Sequence, residues 1–215
     1  MTRHLVLALA SVLAFAQADY SPAMLVGAGA PAQPPDAVGG GEILAELTVG
    51  ASGAVTDVRL IRSTPPFTDL VVGAARRWTF TPAEALDDEG RLVPVESKIL
   101  AAALFRPPAV YAGPARGEVP EEVGVASPEV PYISVLGQPA YPAGALFEGV
   151  VLLALDLDAQ GHVVGAGVAQ SAGVFDEYAL QAVVDWQFKP ATRDGFPVPA
   201  TVVAIVGFRQ PITPE

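Results

Sequence analysis

Residues 78–83, WTFTPA, and residues 186–191, WQFKPA, share the pattern Trp-x-Phe-x-Pro-Ala, and the second copy starts 108 residues after the first. The same offset aligns residues 41–83 with residues 149–191 without a gap, and 13 of the 43 aligned pairs are identical. A supersecondary unit that is copied within a chain keeps such a register. The sequence therefore predicts two tandem modules, and function has to be sought in what one module can do.

Each module is predicted to contain two strands, a helix and a final strand. Ile43, Ala45 and Leu47 alternate with more polar residues, and a period of two is typical of a half-buried strand. The turn that follows carries Gly53 in the first module and Gly161 in the second, as hairpin turns with a positive φ require. This order predicts an α+β fold of two tandem small ββαβ domains, each a three-stranded antiparallel sheet packed by one helix.

The helix of each module has recognisable start and end signals. Thr68 and Asp176 are the predicted N-cap residues. Apolar residues at i, i+3, i+4 and i+7 then lead to Trp78 and Trp186, which places both indoles on the buried stripe of the helix. We therefore predict that the two tryptophans pack in the cores rather than bind a ligand.

Composition divides the chain into five segments. An uncharged run after Arg3 is too short to span a bilayer and ends in a small-x-small pattern, which predicts a cleaved secretory signal. An uncleaved, membrane-anchored N-terminus is the alternative. The predicted segments are a signal peptide (1–18), a flexible Ala/Gly/Pro-rich lead (19–40), a first domain (41–106), a Pro/acid-rich linker (107–137) and a second domain (138–215).

Charge and residue types exclude several function classes. The chain has no cysteine and a formal net charge of −11, which disfavours disulfides, thiol chemistry and nucleic acid as a partner. After cleavage, His162 would be the one histidine left, so neither a triad nor a zinc site is predicted. Asp156 and Asp158 imitate the start of a calcium loop, but Gly167 stands where the bidentate Glu belongs. We predict a protein without cofactor or metal that is not an enzyme.

The second module resembles the C-terminal domain of TonB energy transducers. Residues 138–142, QPAYP, precede a Gly, a strand, a turn Gly, a Ser-x-Gly sequence, a helix and the exit motif at residues 186–191, in the order of that family. The first module shares the core but lacks the Tyr-Pro segment, so it looks like a degenerate copy. The resemblance implies a periplasmic domain that captures an extended peptide of an outer-membrane transporter by strand addition, with separate anchored motor proteins as further partners.

The two modules differ on the sheet face opposite their predicted helices. The first carries charges there, including Glu42, Glu46 and Lys98, which are expected to keep that face wet. The second is apolar, which predicts a contact with a partner, a second chain or the first module. The candidate docking element is the last strand, residues 198–208. The candidate partner-binding residues are Gln138, Pro139, Tyr141, Pro142, Val150, Leu152, Val203 and Ile205.

Two functions are compatible with this pattern. The first is a periplasmic binding protein of TonB-dependent transport across the outer membrane. The alternative is a periplasmic structural adaptor that holds an envelope complex, with no role in transport, whose two modules pair within the chain. A homodimer is a further possibility for the apolar face.

Overall fold

A computed structural model describes residues 19–34, 40–106, 115–118 and 124–210, the third of these ranges by its backbone alone. The predicted signal peptide (1–18) lies outside these residues. Across the described ranges, no helix has both the length and the apolar character needed to cross a membrane.

The described chain is mostly strand, with two helices. The helices are α1 (Phe67–Ala75) and α2 (Phe175–Val184). The strands are β1 (Tyr20–Ser21), β2 (Met24–Gly27), β3 (Gly41–Val49), β4 (Val55–Arg62), β5 (Thr79–Thr81), β6 (Ala83–Leu86), β7 (Leu92–Val95), β8 (Ser97–Phe105), β9 (Ala115–Glu118), β10 (Tyr132–Gln138), β11 (Gly149–Leu157), β12 (Val163–Gln170), β13 (Gln187–Lys189), β14 (Ala191–Arg193), β15 (Phe196–Val198) and β16 (Ala200–Phe208). The α+β class is thereby confirmed.

One six-stranded sheet joins the two halves of the chain, which we define as the N-terminal half (up to residue 106) and the C-terminal half (from residue 115). Its order is β12-β11-β16-β8-β3-β4. The hairpins β3–β4 and β11–β12 are antiparallel, and so are the pairs β3–β8 and β11–β16. The joint between the halves is a parallel pairing of β8 with β16, from Leu100 opposite Val202 to Phe105 opposite Gly207.

The two helices cover opposite faces of this sheet. Around α1, one core unites Phe67 and Trp78 with side chains of β3 and β8. Around α2, a second core unites Phe175 and Trp186 with side chains of β11 and β16. Each core also includes side chains from the other half. The equivalent strands β8 and β16 run parallel, so the C-terminal half is turned over relative to the N-terminal half and its helix lies on the opposite face of the sheet. The prediction that both tryptophans are buried is confirmed, with 1% and 3% of their surface exposed.

The shared sheet differs from the predicted pair of separate three-stranded sheets. Each half does supply a ββα sequence and a last strand, but the last strands meet instead of ending each sheet. A three-stranded sheet with an apolar outer face is stabilised when that face is covered, and here the other half covers it. The short hairpins β6–β7 and β14–β15 were also not predicted; each lies between the Trp-x-Phe-x-Pro-Ala motif and the last strand.

The predicted lead (19–40) and linker (107–137) contain strands. β2 pairs with β5 next to Trp78, and β10 pairs with β13 next to Trp186. The indole Nε1 of Trp78 donates to Gly29 O at 3.0 Å, and that of Trp186 donates to Gly137 O at 2.9 Å. Backbone carbonyls of these Gly- and Pro-rich segments thus satisfy the buried indoles, and each segment is held by this hydrogen bond together with its strand pairing.

The N-cap prediction for Thr68 and Asp176 is wrong, because both residues lie inside the first helical turn. The residues before the helices are Pro66 and Val174, and neither caps with a side chain. Thr68 Oγ1 instead accepts a hydrogen bond from the N–H of the residue four positions earlier at 2.8 Å, and Asp176 Oδ1 does the same. These side chains hold the chain as it enters each helix.

Candidate functional site

Residues 138–142, the QPAYP sequence that carries part of the resemblance, lie at the joint between the two halves, and we call them the approach segment. Gln138 ends β10, and its backbone pairs with β9. Pro139 O accepts a buried hydrogen bond of 2.6 Å from Nη1 of Arg106, the residue that follows β8. The Arg106 N–H donates to Gly207 O at 3.1 Å. Arg106 therefore ties the N-terminal half to both the approach segment and the end of β16.

The tyrosine-proline pair of the approach segment is buried against α2. Tyr141 is 7% exposed, and its ring lies 5.8 Å from the ring of Phe175 between centroids. Its hydroxyl donates to Phe147 O at 2.6 Å, while burial raises the pKa of the phenol. Pro142 is buried beside it. The segment is thus packed into the C-terminal half instead of being held open as a free arm.

The predicted apolar face contacts the N-terminal half. Leu152, Val203 and Ile205 are fully buried and belong to the core around α1, and Val150 packs against that core while half-buried. The sequence left open whether a partner, a second chain or the first module covers this apolar face. In the structure, the N-terminal half of the same chain covers it. These three side chains present no surface to another molecule while the halves are joined.

The predicted docking strand, residues 198–208, has neighbours on both sides. β16 is bonded to β11 along one edge and to β8 along the other. A strand can be added only where main-chain groups are unpaired, so β16 offers no edge while β8 is in place. The outer strands of this sheet are β4 and β12. They occupy equivalent positions in the two halves, and they differ sharply in chemistry.

Glu46 lies on β3 beside β4, and its carboxylate is buried although it was predicted to be exposed to solvent. Glu46 is 4% exposed. Its Oε2 accepts from Arg59 Nη2 at 2.5 Å and from the Ser127 N–H at 3.0 Å, and its Oε1 accepts from Ser127 Oγ at 2.8 Å. Lys98 Nζ lies 3.4 Å from Oε1 and 2.8 Å from a carboxylate oxygen of Glu129.

Burial of Glu46 on its own would raise the pKa of this carboxyl. The hydrogen bonds from Arg59 and Ser127, together with the charge of Lys98, outweigh burial and leave the pKa below its ordinary value of 4.5. The strand pattern of the first module contains the charged residues Glu46, Arg59 and Lys98, so this part of the cluster could have been predicted from the sequence. Nothing in the sequence indicated that Ser127, 81 residues from Glu46, would complete it.

The edge formed by β12 carries no charged side chain. Its sequence is VVGAGVAQ, and the residues from 166 to 170 are all exposed. Val164 is 66% and Val168 is 38% exposed. Natural edge strands are usually protected by charge, proline, a bulge or a cover. β12 has neither charge nor proline, but its register with β11 shifts between Leu152 and Leu153 and again between Asp156 and Leu157.

The turn that resembled half a calcium loop is a capped hairpin. Asp158 Oδ1 accepts from the N–H groups of Gln160 and His162, both at 2.9 Å. The hydrogen bond from the His162 backbone is the main cause that lowers the pKa of Asp158. Within the described residues, no three or more His, Cys, Asp or Glu side chains are grouped where they could hold a metal ion.

Comparison with known proteins concerns the C-terminal half. Residues 137–209 match the family model described as Gram-negative bacterial TonB protein C-terminal. Protein TonB of Vibrio cholerae serotype O1 is 38% identical over 71 residues, which are 31% of this chain and 29% of that protein. The predicted resemblance is confirmed for these residues. The chain spans less than a third of the length of that relative, and the degenerate copy at residues 41–106 remains a prediction.

Proposed function

We propose that the chain is a non-enzymatic, TonB-like binding protein of the cell envelope that captures an extended peptide of an outer-membrane transporter in the periplasm. The observation that carries this proposal is the family match of residues 137–209, which contain the approach segment, α2 and the last strand. Strand addition needs no catalytic residue, because main-chain hydrogen bonds give affinity and alternate side chains give specificity. The acidic surface of the chain disfavours nucleic acid as the partner.

A binding measurement with defined probes tests this proposal. Synthetic peptides that copy the periplasmic N-terminal segments of outer-membrane transporters are titrated into isotope-labelled protein, and amide chemical shifts are followed. We expect saturable shifts in strands of the C-terminal half. Sequence-scrambled peptides of the same composition serve as the control. If no transporter peptide binds, or scrambled peptides bind equally well, the proposal is wrong.

A structural adaptor is the second candidate, and the pairing of β8 with β16 favours it. That pairing occupies the strand expected to dock a partner and joins the halves through two cores. Affinity purification from envelope extracts would distinguish the two. Recovery of transporters that is competed by their N-terminal peptides supports the binding protein, whereas recovery of envelope scaffold proteins alone supports the adaptor.

Localisation follows from the mature N-terminus. We propose cleavage before Asp19, which releases the chain into the periplasm, and the anchored form is the alternative. N-terminal sequencing of the natural protein decides between them, since an intact Met1 would contradict release and would revive an anchored transducer.

A further inference from the structure

A small cleft at the joint between the two halves is lined mostly by polar and charged side chains. It has a volume of about 190 Å³ and lies between the start of β8 and the β14–β15 hairpin. At about 30 Å³ per water this is room for roughly six waters, less than the ~300 Å³ of pockets for drug-sized ligands, so an occupant has the size of an amino acid. The aromatic and charged residues of its lining are Tyr20, Glu96 and Lys98 from the N-terminal half and Glu129, Arg193 and Asp194 from the C-terminal half.

Arg193 reaches across the joint onto Tyr20. Its guanidinium carbon lies 5.2 Å from the centroid of the Tyr20 ring. Burial raises the pKa of the Tyr20 phenol, the charge of Arg193 opposes this rise, and the charge of Glu129 adds to it, so both charges act on one hydroxyl group. The ring orients the guanidinium without neutralising it, and Arg193 forms no ion pair with a carboxylate of the described residues.

Two carboxylates of the cleft are also left without a counter-charge. Glu96 and Asp194 form no ion pair with another described residue, although both line the same cleft as Arg193. Lys98 differs, because its Nζ lies 2.8 Å from a carboxylate oxygen of Glu129 and 3.4 Å from Oε1 of Glu46. One guanidinium and two carboxylates therefore remain for another molecule to compensate.

The wall of the cleft also contains an unsatisfied hydroxyl. Ser97 is 7% exposed, and its Oγ has no hydrogen-bond partner among the described residues. A hydroxyl can donate to a carboxylate and accept from an ammonium group. Buried polar groups are nearly always hydrogen-bonded in folded proteins, so this one indicates a partner that the chain itself does not supply.

We propose that the cleft binds a free basic amino acid such as lysine. The carboxylate of the ligand pairs with the guanidinium of Arg193, which offers parallel N–H donors, and the two ammonium groups pair with Glu96 and Asp194. A simple anion would meet two uncompensated carboxylates, and a simple diamine would leave the guanidinium unpaired. Because both halves line the cleft, the ligand also fastens one half to the other. This inference goes beyond the capture of a transporter peptide and does not depend on it.

Titration of isotope-labelled protein with L-lysine tests this inference by amide chemical shifts. We expect saturable shifts at residues 96–98 and 192–194. Norleucine has the carboxylate but a single ammonium group, and cadaverine has two ammonium groups but no carboxylate, so the Kd of each should be at least about tenfold higher than that of lysine. If lysine causes no saturable shift at millimolar concentration, or if either analogue binds as tightly as lysine, the inference is wrong.

Single substitutions remove one charge of the cleft at a time. Arg193→Gln and Asp194→Asn should each raise the Kd for lysine about tenfold, and asparagine tolerates the φ of 53° at position 194. Arg76→Gln makes the same charge change at an exposed position outside the cleft and should leave the Kd unchanged. Equal weakening by Arg76→Gln, or an unchanged Kd in Arg193→Gln, would overturn the inference.

A last probe distinguishes a free amino acid from a protein segment. Nα-acetyl-lysine amide copies lysine within a polypeptide, because its carboxylate and α-ammonium group are both blocked. We expect its Kd to be at least about tenfold higher than that of free lysine. If it binds more tightly than free lysine, the cleft takes a segment of a protein and the inference fails.

Discussion

Replacing Ile205 by alanine tests whether the two halves unfold as one unit. Ile205 lies on β16 in the C-terminal half, is fully buried, and packs in the core around α1 of the N-terminal half. Truncation of a buried isoleucine to alanine costs about 2–5 kcal/mol, from lost burial and from the cavity left behind. With a urea m-value of about 2–3 kcal/mol/M, the unfolding midpoint should fall by about 1–2 M.

The two tryptophans allow each half to be followed separately. Trp78 reports the core around α1 and Trp186 the core around α2, so the measurement is made in Trp78→Phe and Trp186→Phe backgrounds by urea titration of fluorescence. We expect Ile205→Ala to lower both midpoints by the same amount, because the cores share one sheet. Val164→Ala, at an exposed position on β12, should change the free energy of unfolding that either tryptophan reports by no more than about 0.5 kcal/mol. If one midpoint moves while the other stays, the halves are independent domains and the reasoning is refuted.

Three further outcomes are expected. The lowered pKa of Glu46 stabilises the fold above pH 4.5, and this stabilisation is lost as the pH falls through the folded-state pKa. Glu46→Gln should therefore flatten the acid side of a curve of unfolding free energy against pH. An unchanged slope would contradict this. Gly53→Ala should cost more than Gly90→Ala by at least about 1 kcal/mol in thermal unfolding, because both have positive φ but a Cβ at Gly53 would lie 1.9 Å from Phe80 O. Arg106→Ala should cost about 1–3 kcal/mol by leaving Pro139 O buried and unpaired, and Arg106→Lys should restore part of this loss in the same urea assay.

The local structure could be predicted from the sequence because it depends on short-range signals. Strand alternation identified β3 and β11, and the glycines at 53 and 161 marked the hairpins, where φ is +81° and +85°. The apolar spacing before Trp78 and Trp186 identified the buried face of each helix. Phe67 and Phe175, the first residues of the helices, are also buried, and each stacks on a phenylalanine at the end of the last strand of its own half.

The arrangement of the halves could not be predicted, because it depends on contacts between residues far apart in the sequence. The outer face of the C-terminal half is apolar, and the pattern left open whether a partner, a second copy or the N-terminal half covers it. Strands β2 and β10 were missed for a related reason. They lie in Gly- and Pro-rich segments that are held by pairing with β5 and β13 and by the indole hydrogen bonds to Gly29 and Gly137, all of which are contacts with residues far along the chain.

The candidate site could likewise be predicted only where it depends on local sequence pattern. Sequence pattern identified the residues of the C-terminal half that are special, including Tyr141 and the apolar outer face. It did not identify which side of the sheet stays open. That depends on residues 124–127, which pack on a strand more than 60 residues earlier in the chain.

The parallel pairing of β8 and β16 also has a genetic consequence. A stop codon or frameshift after residue 106 would leave a product whose β8 exposes Leu100 and Ala102 on one face, since α2 and β16 normally cover them. A protein fragment that begins after residue 124 would likewise expose Val203 and Ile205 to solvent. Neither fragment is expected to accumulate as a soluble product, so truncating alleles should behave as complete losses, and substitutions in the two central strands should be under joint selection.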